Sequence, residues 1–141
     1  MSAGSAVEAI ITRFRDQVST PLSIPTEVPD ESFSPPDDGS TYIRLNVNFG
    51  DRQARDFGGV TQGMDRRGVM TAQVFTDLGR GRSDASSIAS SIESAFLRYS
   101  SSGITFGPHG PTPPPTTKFI GRSGQYFQTN VDAAFVASEF L

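Results

Sequence analysis

The chain contains no cysteine, no tryptophan and a single histidine, His109. Without cysteine there is no disulfide framework, thiolate zinc site, iron–sulfur cluster or thiol nucleophile, and cysteine usage is silent about the redox compartment. One histidine supplies only one of the several ligands a metal needs. His109 also sits between Pro108 and Gly110, a loop setting that does not hold a general base rigidly, so it reads as a surface residue. Positive charge is not in excess: 12 basic against 15 acidic residues leave −3, with no global field toward nucleic acid or an anionic membrane. No apolar run approaches the roughly 18 residues of a membrane helix. Met-Ser-Ala-Gly-Ser lacks the basic and apolar regions of a signal peptide, so a soluble, cytosolic protein without a membrane partner is expected. Walker, G-x-S-x-G, H-E-x-x-H and dinucleotide motifs are missing as well, which predicts no catalytic residues, no cofactor and no metal.

What is present suffices for one packed domain: 141 residues, 35% hydrophobic and 19% charged. Val7, Ile10, Ile11, Phe14 and Val18 recur at helical spacing, predicting an amphipathic helix over 3–18 that Pro21 ends. Residues 21–40 hold five prolines and the acids Glu27, Asp30, Glu31, Asp37 and Asp38 with no basic partner. They read as an extended connector, with a short strand around 23–27. TYIRLNVNF at 41–49 alternates: Ile43, Leu45, Val47 and Phe49 on a dry face, Tyr42, Arg44, Asn46 and Asn48 on the other. The glycine-rich stretch 50–65 reads as a mobile hairpin loop, and Gly58–Gly63 within it lacks the strand–loop–helix frame of a phosphate cradle. Strand character returns over 66–78, apolar on both sides as if covered on both.

A second helix is expected over 84–99, capped by Ser83 or Asp84, with Ile88, Ala89, Ile92, Ala95, Phe96 and Tyr99 buried. The proline-rich segment 103–117 reads as a loop, 118–121 as a short strand, and 125–137 as an alternating strand beyond a turn at 121–124. The expected fold is α+β, a single domain in which a mostly antiparallel sheet of about four strands is backed by two helices.

Eleven of the twelve basic residues are arginine, and Arg52, Arg55, Arg66, Arg67, Arg80 and Arg82 fall in one window interleaved with Asp51, Asp56, Asp65 and Asp77. DNA affinity needs uncompensated cations, whereas arginine forks among acids suit protein–protein contacts. The candidate residues for a contact with a neighbouring copy or with another protein are Arg44, Asn46, Asn48, Arg52, Arg55, Asp56, Arg66 and Arg67, on the polar face of strand 41–49 and the loop that follows it.

PPDDGSTYIRLNVNF at 35–49, RRGVMTAQVFTDLGRGR at 66–82, ASSIASSIESAF at 85–96 and GQYFQTNVDAAF at 124–135 resemble successive blocks of the tail terminator proteins of long-tailed bacteriophages and gene transfer agents. The proline cluster at 111–115 departs from that pattern. The resemblance implies a non-enzymatic virion protein at the tail–neck junction, assembled in the host cytoplasm. It implies a homo-hexameric ring that caps the tail tube, stops its polymerisation and offers a surface to a head completion or stopper protein. DNA would pass through the lumen without specific binding. A head–tail stopper or other neck adaptor is an alternative in the same class. An enzyme or carbohydrate-binding module using Asp37, Asp38 and Tyr42 is an alternative in another.

Overall fold

A computed structural model of the chain describes residues 3–29, 31–36, 39–54, 63–79, 81–101 and 103–140. The chain opens with helix α1, Ala3–Phe14, which continues through a π turn at Arg15–Ser19 into a last turn at Thr20–Leu22. Its fully buried stripe is Ala6, Ile10, Phe14 and Val18, a spacing of four residues. In a straight α-helix each such step overshoots by about 40°, and the wider π turn takes up the drift that would carry Val18 off the core. The same widening relieves the carbonyl four residues before Pro21, so the helix runs past the proline expected to end it. It stops instead at Ser23, whose φ of 53° turns the chain left-handed while Ser23 N–H and Ile24 N–H donate to Thr20 and Ser19 carbonyls.

Among the described residues the sheet has seven strands, not about four: β1 Thr26–Glu27, β2 Tyr42–Ala54, β3 Gly63–Asp77, β4 Ser100–Ser101, β5 Ile104–Phe106, β6 Thr116–Ser123 and β7 Tyr126–Phe140. The order is β1-β2-β3-β7-β5-β4, with β6 also on β7. All pairings are antiparallel except β1 with β2. Two expectations are corrected here. Residues 50–54 and 63–65 of the 50–65 stretch are strand, because pairing of β2 with β3 resumes beyond a bulge between Phe49 and Arg52; residues 55–62 lie outside the described ones. The 103–117 segment is a loop only from Gly107 to Pro115, since Ile104 and Phe106 bury their side chains in a hairpin turned by Gly103 at φ 86°.

β7 is flanked by β3 along its length, while its other side is shared: β6 pairs with 126–132 and β5 with 135–137. Helix α2, Gly81–Phe96, starts before the expected cap and ends before Tyr99. Its stripe Ile88, Ala89, Ile92 and Phe96 packs with α1 on one face of the sheet, against Ile43, Leu45, Met70, Ala72, Val74, Val131 and Ala133. An aromatic ladder joins the layers: Phe14 stacks on Phe96 at 6.2 Å, Phe96 meets Phe106 at 4.9 Å, and Phe106 meets Phe135 at 5.3 Å. Gly68 makes room for this ladder, because a Cβ there would stand 2.5 Å from the Phe135 ring. The result is a two-layer α+β domain.

Candidate interaction surface

Among the described residues, the sheet's second face carries no helix. Expected to be covered on both sides, β3 is covered on one: Val69 is exposed on the open side. Cross-strand register sets rows of side chains there. Arg44, Gln73, Asn130 and Lys118 form one row, Asn46, Thr71, Asp132 and Thr116 the next, and Asn48, Val69 and Ala134 a third. The rows are knitted by hydrogen bonds within the face: Thr71 Oγ1 donates to Asp132 at 2.7 Å and Gln128 Nε2 to Asn130 at 3.0 Å. Arg44 Nε donates to Glu27 of β1, so its charge is already met.

Two devices border this polar field. At one end Tyr42, Phe75 and Tyr126 bury themselves as a second cluster, with Phe33 of the connector stacked on Tyr42 at 5.8 Å. Tyr126 OH donates to the Pro36 carbonyl at 3.3 Å, which ties the connector across the sheet end. Tyr42 was placed on the polar side of its strand by alternation. It lies on that side, yet it is buried, because the connector covers it. That burial raises its phenol above the ordinary value of 10.0, against an opposing effect of Arg44.

At the other end the Gly107–Pro115 loop folds back over the open face. A Cβ on Gly107 would lie 1.9 Å from the Pro113 carbonyl oxygen, so only glycine permits this closure. A shallow cleft of about 360 Å³ opens between the loop and the β2–β3 ladder, lined on the open face by Asn48, Arg67, Val69 and Ala134 and on the loop side by Pro111 and Pro113. His109, at the loop tip, is exposed and forms a tight turn with Thr112, its N–H at 3.0 Å from the Thr112 carbonyl.

The candidate residues divide. Arg44, Asn46, Asn48 and Arg67 share the open face, the two asparagines and Arg67 exposed. Arg66 does not join them: one residue from Arg67 on the same strand, it points to the helix side, its guanidinium 5.6 Å from the Phe49 ring centre. Arg52 is level with Arg66, with its side chain outside the described ones, and Arg55 and Asp56 lie outside the described residues altogether. So do Asp37, Asp38 and Gly58–Gln62. Among the described residues no three acids and histidines gather as a metal would need, and no helix is long and apolar enough to cross a membrane. What alternation missed is the aromatic cluster. Its signal is three aromatics, Tyr42, Phe75 and Tyr126, all on the nominally polar side at one end of the sheet.

One face of the domain is covered by helices; the other, among the described residues, carries mostly polar side chains between the connector at one end and the Gly107–Pro115 loop at the other. A family model described as "Phage tail terminator protein" matches residues 6–133, and the chain belongs to that family. It is thus a structural protein of a phage tail and a virion component, and membership implies association with other phage tail and head proteins. One solved structure superposes with a TM-score of 0.65 over 96% of each chain at 17% identity, a likeness of fold. No curated protein sequence matches the chain.

Proposed function

We propose that copies of this chain close into a six-membered ring that sits on the end of the tail tube, stops its growth and offers its far side to a head completion or stopper protein, at the tail–neck junction. The family match over residues 6–133 carries this reading. In it, the open face with Asn46, Asn48 and Arg67, and the β2–β3 tip with Arg52, Arg55 and Asp56, meet the tube or the neck. A flat field of short amides and hydroxyls suits a wet, reversible docking surface better than a sealed core. Subunits of net charge −3 around a central hole let DNA slide past rather than adhere.

The test is electron microscopy of purified protein added to tail tubes. A cap of six copies on tube ends, and tubes that no longer elongate when fresh tube protein is supplied, is the expected outcome. Protein that stays off the ends at saturating concentration overturns it. The Arg67→Glu exchange is expected to leave the fold intact and to weaken docking; Arg66, set against Phe49, is the wrong residue for that experiment.

A further inference from the structure

On the open face a cation and an apolar recess meet at Arg67. Arg13, Arg15, Arg44 and Arg122 each spend a guanidinium nitrogen on an acceptor within the subunit. Arg67 does not: exposed beside the cleft under the Gly107–Pro115 loop, it has no hydrogen-bond or ion-pair partner among the described residues, and neither has Asn48. Asp65, two residues toward the β2–β3 tip, accepts from Ser138 Oγ at 3.2 Å and does not line this cleft. Among the described residues no acid lines it.

The loop wall is set before anything binds. Gly107 N–H donates to the Ala134 carbonyl at 3.3 Å, Arg98 N–H to the Gly107 carbonyl at 2.9 Å, and the His109 and Thr112 backbones bond each other in both directions. A wall already ordered loses little further freedom on binding. Pro111 and Pro113 give it apolar surface and no N–H, and the Thr112 N–H is spent on His109, so side-chain donors face the cleft from the sheet, on Arg67 and Asn48. Asn48 stands opposite Val69 and Val69 opposite Ala134, and Arg67 follows one row along on the same side. Such rows are about 7 Å apart, the spacing of alternate side chains in any extended chain. The ladder also opens there: in the bulge, residues 50 and 51 together oppose Arg67, and exposed Gly50 brings backbone to the cleft.

A volume of about 360 Å³ is small among ligand clefts, room for one or two side chains rather than a helix. One cation beside apolar walls is too little for a phosphate, which calls for several donors, and suits a carboxylate, which a planar guanidinium meets with two parallel bonds. We infer that this cleft anchors an extended segment of the virion protein docked on the open face, a segment with an apolar residue and an acid two places apart. The apolar side chain sits between Val69 and the proline wall, and the carboxylate one row along accepts from Arg67. The inference rests on the reading that this face docks a tail or head protein, and it names the chemistry that the face selects. Opposite charge fixes the register of the segment, while the apolar side chain covers Val69, which is 38% exposed.

Titration of the isotope-labelled full chain with acetyl-Leu-Ser-Glu-amide, followed by backbone amide shifts in NMR, tests it. Saturable shifts at Val69, Thr112 and Ala134 are expected, with binding at least about tenfold weaker for acetyl-Leu-Ser-Gln-amide and for acetyl-Gly-Ser-Glu-amide. In Arg67→Ala the glutamate and glutamine peptides are expected to bind alike. If the wild type binds all three peptides alike, or the shifts fall outside the cleft, the assignment is overturned. It is overturned too if the same shifts appear with rising protein concentration and no peptide, which makes a second copy the occupant. On tubes, Val69→Glu, which offers Arg67 a carboxylate from its own strand, is expected to need at least about tenfold more protein for capping. Capping at the wild-type concentration overturns the anchor and leaves the ring reading standing, whereas wild-type protein that selects the acidic peptide yet caps no tube fails the ring reading and not the cleft. Should Val69→Glu not fold, Arg67→Glu replaces it with the same expected loss.

Discussion

The two faces of this sheet share one backbone and treat aromatic residues differently. On the helix side Phe14, Phe96, Phe106 and Phe135 interlock across both layers and are fully buried. On the open side Tyr42, Phe75 and Tyr126 gather at one end only, under a connector rather than a helix, and the middle is left to Asn, Gln and Thr. The first arrangement holds the domain together, while the second holds one strap in place and keeps the rest of the face wet. Burial on one side supplies the stability that lets the other side stay polar and available.

If that division is right, substitutions should fall in order of their distance from the helix side. Phe96→Ala removes a ring that touches Phe14, Tyr99 and Phe106 and is expected to cost about 3–5 kcal/mol in chemical denaturation. A wild-type midpoint for this protein would break the comparison outright. Gly107→Ala forces the Pro113 backbone away and is expected to cost about 1–3 kcal/mol, with the loop becoming accessible to protease. Tyr126→Phe loses the bond to Pro36 and is expected to cost about 0.5–1.5 kcal/mol, with faster cleavage of the connector near residues 31–36. Tyr42 adds a pH signature. Its phenol is raised in the folded state, so the unfolded chain ionises first and stability falls as pH climbs beyond 10.0; Tyr42→Phe should flatten that alkaline limb in thermal melts. Asn48→Ala and Arg67→Ala are expected to stay within about 0.5 kcal/mol of wild type in denaturation, sharpening the contrast if tube docking nevertheless weakens.

Much of this was legible in the residues. Period two in 41–49 and 125–137 placed Ile43, Leu45, Val131, Ala133 and Phe135 on the core face, and helical spacing placed Ile10, Phe14, Ile88, Ile92 and Phe96 there. What was not legible depended on pairing. Gly50–Ala54 and Gly63–Asp65 lack strand composition, yet the ladder between β2 and β3 resumes there after the bulge beyond Phe49. Ile104–Phe106 are too few to announce a strand, and they become one because β7 has a free side at 135–137. The open-face residues were found because alternation assigns faces. The opposite orientations of Arg66 and Arg67 follow from the same rule, once the strand is known to run through both. The cleft beside Arg67 was not legible, because it exists only where the Gly107–Pro115 loop folds back over the sheet, which sequence period does not encode.

The shared side of β7 has one further effect. Hydrogen bonding there ends with β5 and restarts with β6, so neither register measures the span between them. The His109–Gly110–Pro111 tip is therefore a graft point: a short epitope or dye-binding peptide inserted there lengthens a detour without shifting a single ladder, and gives each subunit an addressable label on its uncovered face.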